Sequence, residues 1–201
     1  MLVKRIGRLC AVLVLSGVSS VAFSETFTFS DALELMDENG HVTIPNNFTA
    51  IGQNAFNSTA VVSVTIPSTV SSMGNYAFAN TPKLEEIVIP DSITSIPDYA
   101  FKESGLSRVT LHSNVTSIGD RAFYDADISE INLPENISIG EWAFYNASIK
   151  HLKLPYGTRL RSYSFAYLGD SLISLEIGEN VDWHSNSGIF EGSGYNLQTI
   201  V

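Results

Sequence analysis

Apolar residues return along this chain in a short, fixed order, L-x-x-I-x-I-P. It reads Leu84-Glu85-Glu86-Ile87-Val88-Ile89-Pro90 in one copy and Leu172-Ile173-Ser174-Leu175-Glu176-Ile177 in another. The last two apolar positions stand two apart, so they share one face of a short strand. The proline has no N–H to give a ladder, so the strand ends there. A second apolar pair follows, as in Ile93-Thr94-Ser95-Ile96 and Val115-Thr116-Ser117-Ile118-Gly119, where two more side chains point inward and the chain turns. Ala-Phe then closes the unit at Ala55-Phe56, Ala77-Phe78, Ala100-Phe101, Ala122-Phe123 and Ala143-Phe144, with degenerate copies at Ser164-Phe165 and Ile189-Phe190. The phenylalanines step by 22, 23, 22, 21, 21 and 25. The strand marker keeps the same beat: Ile44-Pro45, Ile66-Pro67, Ile89-Pro90, Leu111-His112, Leu133-Pro134, Leu154-Pro155 and Ile177-Gly178. Two markers in phase over seven copies predict a tandem solenoid. Each coil adds a strand to a parallel sheet at ~4.8 Å per repeat, giving a rod of roughly 30–35 Å. The Ala-Phe segment is expected to form a helical turn that drives its ring beneath the strands.

These residues resemble the BspA-type leucine-rich repeat, whose consensus runs L-x-x-I-x-I-P-x-x-V-T-S-I-G-x-x-A-F-x-x-C. The likeness extends from about Asn39 to the C-terminus. It implies a repeat solenoid, a leucine-rich-repeat-like right-handed coil with a parallel β-sheet on one face and short helical or 3-10 turns opposite. About seven repeats are expected, with lengths that run from 21 to 25. The resemblance also implies secreted or surface-displayed proteins that bind host or matrix components, without a cofactor, rather than enzymes. The chain departs from the pattern at the family's frequent cysteine, three residues past the Phe. Here that slot holds Thr59, Thr81, Ser104, Ala126, Ala147, Leu168 and Ser193. Most are small, so the inward packing role is kept and thiol chemistry is lost.

The ends differ from the middle. Lys4, Arg5 and Arg8 precede the apolar stretch Leu9–Leu15, and Ala22-Phe23-Ser24 ends the segment before Glu25. That order is a cleaved secretory signal. The apolar run is too short for a membrane span of ~20 residues, so no transmembrane segment is expected after cleavage. Residues 1–24 are therefore assigned to a signal, 25–40 to an N-terminal cap and 41–201 to the solenoid. In the cap, Ser30 to Gly40 reads as a short helix, with Asp31 and Glu34 as a capping box and Gly40 as the exit. Leu197 to Val201 reads as the opening of an eighth strand. It is expected either to mark a truncated chain or to leave an edge where Leu197 and Ile200 pair with another copy.

Composition narrows the partners. The 201 residues are 44% apolar and 16% charged, with a net charge of −10. Three of the eleven Lys and Arg and none of the 21 acids lie in the signal, so its removal leaves −13. Such a chain offers no basic stripe to phosphates, and nucleic acid is excluded as a partner. The sole cysteine, Cys10, leaves with the signal, so no disulfide supports the remainder. Asn39 to Pro82 carries no Asp, Glu, Lys or Arg, whereas Lys150, His151, Lys153, Arg159 and Arg161 cluster within one repeat. Five Asn-x-Ser/Thr sequons begin at Asn47, Asn57, Asn114, Asn136 and Asn146; the repeat's own Asn, Ser and Thr content produces such matches by chance.

Two stripes are candidates for binding a protein or glycan. Outward strand positions place Glu86, Arg108, Glu130, His151, Lys153 and Glu176 down one face, where alternating charge is either a self-satisfied ladder or a docking surface. Two residues before each Phe come Asn54, Tyr76, Tyr99, Arg121, Trp142, Tyr163 and Gly188. Tyr76, Tyr99, Arg121, Trp142 and Tyr163 would form a lateral column, serving either as packing for the Ala-Phe turns or as an anchor for a partner.

Catalysis has little to stand on. His41, His112, His151 and His184 fall in different repeats without metal-ligand spacing. Asp125-x-Asp127 lacks the other acids and the glycine of a calcium loop, and Gly188 to Gly194 lacks the lysine of a phosphate loop. No metal or cofactor is implied. The expectation is a non-enzymatic, exported or cell-surface, adhesion-type binding module. The alternatives are a carbohydrate-active parallel β-helix enzyme or a self-associating structural surface component.

Overall fold

A computed structural model describes residues 25–183, 188–194, 196 and 198–200; the signal with Cys10, His184 and Leu197 lie outside them. In chain order the elements are β1 (Glu25–Phe27), α1 (Phe29–Leu35), β2 (His41–Thr43), β3 (Phe48–Ile51), β4 (Ser63–Thr65), β5 (Ser72–Met73), β6 (Glu86–Val88), β7 (Ser95–Ile96), β8 (Arg108–Thr110), β9 (Ser117–Ile118), β10 (Glu130–Asn132), β11 (Ser138–Ile139), β12 (His151–Leu154), β13 (Arg159–Leu160), β14 (Ser174–Ile177) and β15 (Thr199–Ile200). Every pairing between them is parallel and joins one coil to the next, which makes a solenoid of about seven turns.

One coil shows how the apolar pattern becomes a core. Leu84, Ile87, Ile89, Ile93, Ile96, Ala100, Phe101 and Leu106 are all 4% exposed or less, while Glu86 and Val88 between them face water. The corner after the first strand is a turn whose carbonyl comes from the proline position. Pro67, Pro90 and Pro155 accept from the N–H groups of Val70, Ile93 and Thr158, which swings the next apolar side chain inward. Where His112 replaces proline, its Nε2 lies 2.9 Å from the Pro90 carbonyl of the coil before.

The coil has three sides rather than a sheet and a helical back. The L-x-x-I-x-I strands form a front rank, paired as β2–β4, β6–β8–β10 and β12–β14–β15. The V-T-S-I segments form a second rank of strands, β1–β3–β5 and β7–β9–β11–β13, where the sequence pattern suggested only a turn. Parallel stacking explains this: a segment with alternate inward side chains leaves its backbone groups free along the axis, and the next coil supplies partners.

The third side carries Ala-Phe, and here the expected short helical or 3-10 turns take the form of consecutive i→i+3 turns rather than α-helix. The residues two before and two after each Phe have positive φ: Tyr76 at 59° and Asn80 at 54°, Tyr99 at 58° and Glu103 at 53°, Arg121 at 54° and Asp125 at 52°. A helix spends its N–H groups on its own carbonyls. With left-handed residues on either side, the Phe N–H instead points along the axis, reaching Ala77 from Phe56, Ala100 from Phe78, Ala122 from Phe101 and Ala143 from Phe123 at 2.7–2.8 Å.

Beneath this ladder lies a column of phenylalanine rings. From Phe27 to Phe190 eight rings among the described residues stack with centroids 4.7–5.8 Å apart, and the seven up to Phe165 are 0% exposed. The family's cysteine slot faces the same interior. Thr59 and Thr81 are buried there and donate to the Phe56 and Phe78 carbonyls at 2.7 Å, whereas the buried Ser104 hydroxyl lacks a partner.

The N-terminal segment differs from its sequence reading in two respects. Its helix starts earlier, at Phe29, with Thr28 as N-cap: the Asp31 carboxylate accepts from the Thr28 N–H at 2.8 Å and hydroxyl at 2.6 Å, so Asp31 pairs with Thr28 and not with Glu34. It also contributes a strand and a ring, since β1 pairs with β3 and Phe27 stacks on Phe56. Asp37 then accepts from the His41 and Asn39 N–H groups, which hold its carboxyl below the usual range and turn the chain into β2.

Candidate functional site

Stacking one coil per repeat puts each outward residue beside its counterpart. On the front face Glu86, Arg108 and Glu130 are in direct register, as are His151 with Ser174 and Lys153 with Glu176. Six of these residues satisfy one another in pairs. Arg108 lies 3.4 Å from Glu130, Lys153 pairs with Glu176, and His151 Nδ1 is 2.8 Å from the Ser174 hydroxyl. Arg108 and Glu130 side chains are 63% and 69% exposed, and ion pairs so open to water contribute only about 0–1 kcal/mol. A depression of about 280 Å³ lies on this face among Arg108, Glu130, Asn132 and His151. The cationic cluster is divided: Lys150, His151 and Lys153 lie on the front rank, Arg159 and Arg161 around the corner on the second.

The lateral column forms as spaced, but its rings face one another. Tyr76 stacks on Tyr99 at 4.5 Å and Trp142 on Tyr163 at 4.4 Å, near-parallel in both cases. Between these pairs the Arg121 guanidinium lies 5.6 Å from the Tyr99 ring and 5.8 Å from the Trp142 ring, and it donates to the Tyr99 hydroxyl at 3.0 Å. All five residues are half-buried. Gly188 closes the column, because a Cβ there would stand 2.4 Å from the Tyr163 ring.

A second column runs beside it, one residue after each Phe, which the sequence reading missed although it shares the same spacing. Tyr124 stacks on Tyr145 at 4.7 Å, and the Lys102 ammonium caps Tyr124 at 5.8 Å while pairing with Glu103 at 2.7 Å. Trp142 meets Tyr145 at a 52° tilt with centroids 5.2 Å apart and joins the two columns. Where Arg121 interrupts the first column and Lys102 caps the second, a groove of about 510 Å³ opens, lined by Tyr99, Lys102, Glu103, Arg121, Tyr124, Asp125 and Trp142. Burial pushes the Tyr124 and Tyr76 phenols up, and Asp125 adds to the effect on Tyr124. The bond to Glu103 holds the Lys102 ammonium above its usual range.

The backbone makes these side chains expensive. A left-handed conformation costs an ordinary residue roughly 1–2 kcal/mol, which is why glycine or asparagine usually fills it. Asn54 and Gly188 do so in the terminal copies, yet the five between hold Tyr, Tyr, Arg, Trp and Tyr. Stacking of an aromatic pair contributes about 0.5–1.5 kcal/mol, less than the roughly 2–4 kcal/mol of strain in its two residues. Among the described residues no three His, Cys, Asp or Glu side chains converge on a metal-sized site, and no helix is long and apolar enough to cross a membrane.

Comparisons with known proteins agree with this architecture. A leucine-rich repeat protein from Bacteroides ovatus has a TM-score of 0.67 at 22% identity, over 88% of this chain and 46% of that one. The pneumococcal vaccine antigen PcpA has a TM-score of 0.53 at 21% identity, over 80% of this chain and 56% of that one. The chain thus spans about half the length of these structures, and the likeness is one of fold. A search of curated proteins returns no match. Residues 25–138 and 119–201 match the BspA type leucine rich repeat region in six copies. With the period, the inward Phe column and the parallel ranks already established, the chain belongs to the BspA-type leucine-rich repeat family.

Proposed function

We propose that this chain is a non-enzymatic, exported or cell-surface binding module that displays a rigid lateral surface to a protein or glycan. One observation carries the reading: five bulky residues, Tyr76 to Tyr163, occupy left-handed positions that glycine or asparagine would fill with less strain, and the central three, Tyr99, Arg121 and Trp142, line a groove. Strain retained without a net gain in stability is characteristic of functional sites. The groove lining, aromatic edges with a guanidinium, is also the composition that dominates binding hot spots. The front face supports docking less, because Arg108, Glu130, Lys153 and Glu176 already pair with one another. Export is supported by the signal-like Met1–Ser24 and by the family's usual placement. An array of glycans and extracellular proteins, probed with the chain from Glu25 onward, tests the reading. Binding lost in Tyr99→Ala and Trp142→Ala, and kept in Arg108→Ala, supports the groove; unchanged binding in all three removes it. Turnover of a polysaccharide on the same array would replace the binding module with the β-helix enzyme. Concentration-dependent light scattering would favour the self-associating component.

A further inference from the structure

We propose that the groove takes a carboxylate-bearing sugar residue of an acidic glycan, with Arg121 receiving the carboxylate; this deepens the reading above and rests on it. Among the described residues, Lys102, Arg108 and Lys153 each have an acid partner, while Lys83, Lys150, Arg159 and Arg161 have none but are exposed to water. Arg121 is the half-buried cation left without an acid: no carboxylate oxygen of a described residue lies within 4.0 Å, and its hydrogen bond goes to the neutral Tyr99 hydroxyl. The rings of Tyr99 and Trp142 lie on either side of its guanidinium. A guanidinium fixed in this way is a preorganised fork for two oxygens of one carboxylate.

The rest of the lining decides what carries that carboxylate. Glu103 and Asp125 lie on the same groove, and ionised carboxylates only accept hydrogen bonds. They repel the successive charges of an acidic peptide but accept from hydroxyl groups. A ligand with one carboxylate and several hydroxyls matches both halves, and that is the chemistry of a uronic or sialic acid. At about 510 Å³ the groove falls in the size range of small-ligand pockets. Because the ring faces are taken by stacking, the sugar meets the edges of Tyr99, Tyr124 and Trp142 and their polar tips.

Calorimetry on the full chain tests this with three probes: a glucuronate-containing tetrasaccharide, its carboxyl-reduced counterpart and a glutamate-rich hexapeptide. The acidic sugar is expected to bind at least tenfold more tightly than the reduced one, from the strength of a charge-assisted hydrogen bond. Arg121→Gln should erase that preference, Arg121→Lys should restore part of it, and Arg161→Gln should leave it intact, with melting curves confirming that each variant folds. Equal binding of the acidic and reduced sugars, lost in Trp142→Ala, overturns the carboxylate inference and leaves the binding groove standing. Peptide binding that depends on Arg121 overturns the glycan. If no probe binds, or binding ignores both Arg121 and Trp142, the carboxylate inference falls; the broader reading then rests on the array alone.

Discussion

An inner and an outer column of rings stand two residues apart on the same turns of this solenoid and stack at nearly the same spacing. The inner one, Phe27 to Phe190, is unbroken, and its rings up to Phe165 are sealed from water. The outer one, Tyr76 to Tyr163, is interrupted by Arg121, ends at Asn54 and Gly188, and stays half-exposed. Stacking geometry alone therefore says little about purpose. The inner rings have one environment and one solution, while the outer positions tolerate Asn, Tyr, Arg, Trp and Gly and so are open to selection by something outside the fold.

The largest expected effect tests the inner column. Phe123→Ala leaves a cavity between Phe101 and Phe144 and should lower stability by about 3–5 kcal/mol, read by chemical denaturation. A loss below about 1 kcal/mol would mean that the column is not the core. The same environment penalises polar atoms. Ser164 stands where other copies have alanine, and its buried hydroxyl has no partner, so Ser164→Ala should stabilise by about 1–3 kcal/mol. The outer column should respond to backbone as well as to ring. Tyr99→Ala gives up a stack of about 0.5–1.5 kcal/mol and keeps the strained backbone, whereas Tyr99→Gly relieves the strain and should be more stable than the alanine variant by about 0.5–1 kcal/mol. If alanine and glycine are equal, the left-handed backbone is not under strain there.

The smallest effect separates the columns by pH. Burial raises the Tyr76 phenol above 10.0 in the folded chain, so its contribution to stability is complete below pH 10 and is lost as pH rises through the folded value. The inner rings do not titrate. Alkaline melting curves of wild type and Tyr76→Phe should therefore diverge only above pH 10, with the variant losing less stability. Parallel curves would refute the burial of that phenol.

Much of this could be read in advance where a residue's environment is set by its own coil. The inward Phe, the apolar strand pairs and the small residues in the cysteine slot fall where the pattern puts them, because so short a coil can bury only those side chains. The second rank of strands was not legible, since β5, β7, β9 and β11 are two residues long and exist through their neighbours. The left-handed positions had a faint signal, in Asn54, Gly188, Ser58, Asn80, Asn146 and Gly192 at the same offsets from Phe. Tyr, Trp and Arg at those offsets concealed it. Thr28 and Phe27 were missed because the cap obeys no repeat.

The amino-acid order by itself determined the period, the family and which side chains point inward, because burial in a one-dimensional stack depends on each coil and its two neighbours. Only the tertiary structure decided that Ala-Phe forms a ladder rather than a helix. It alone placed Arg121 between two rings, and it alone brought Lys102, Tyr124 and Asp125 to the same groove. Those outcomes depend on how successive coils rotate and on where each backbone N–H finds a partner, and adjacency across one full repeat settles both.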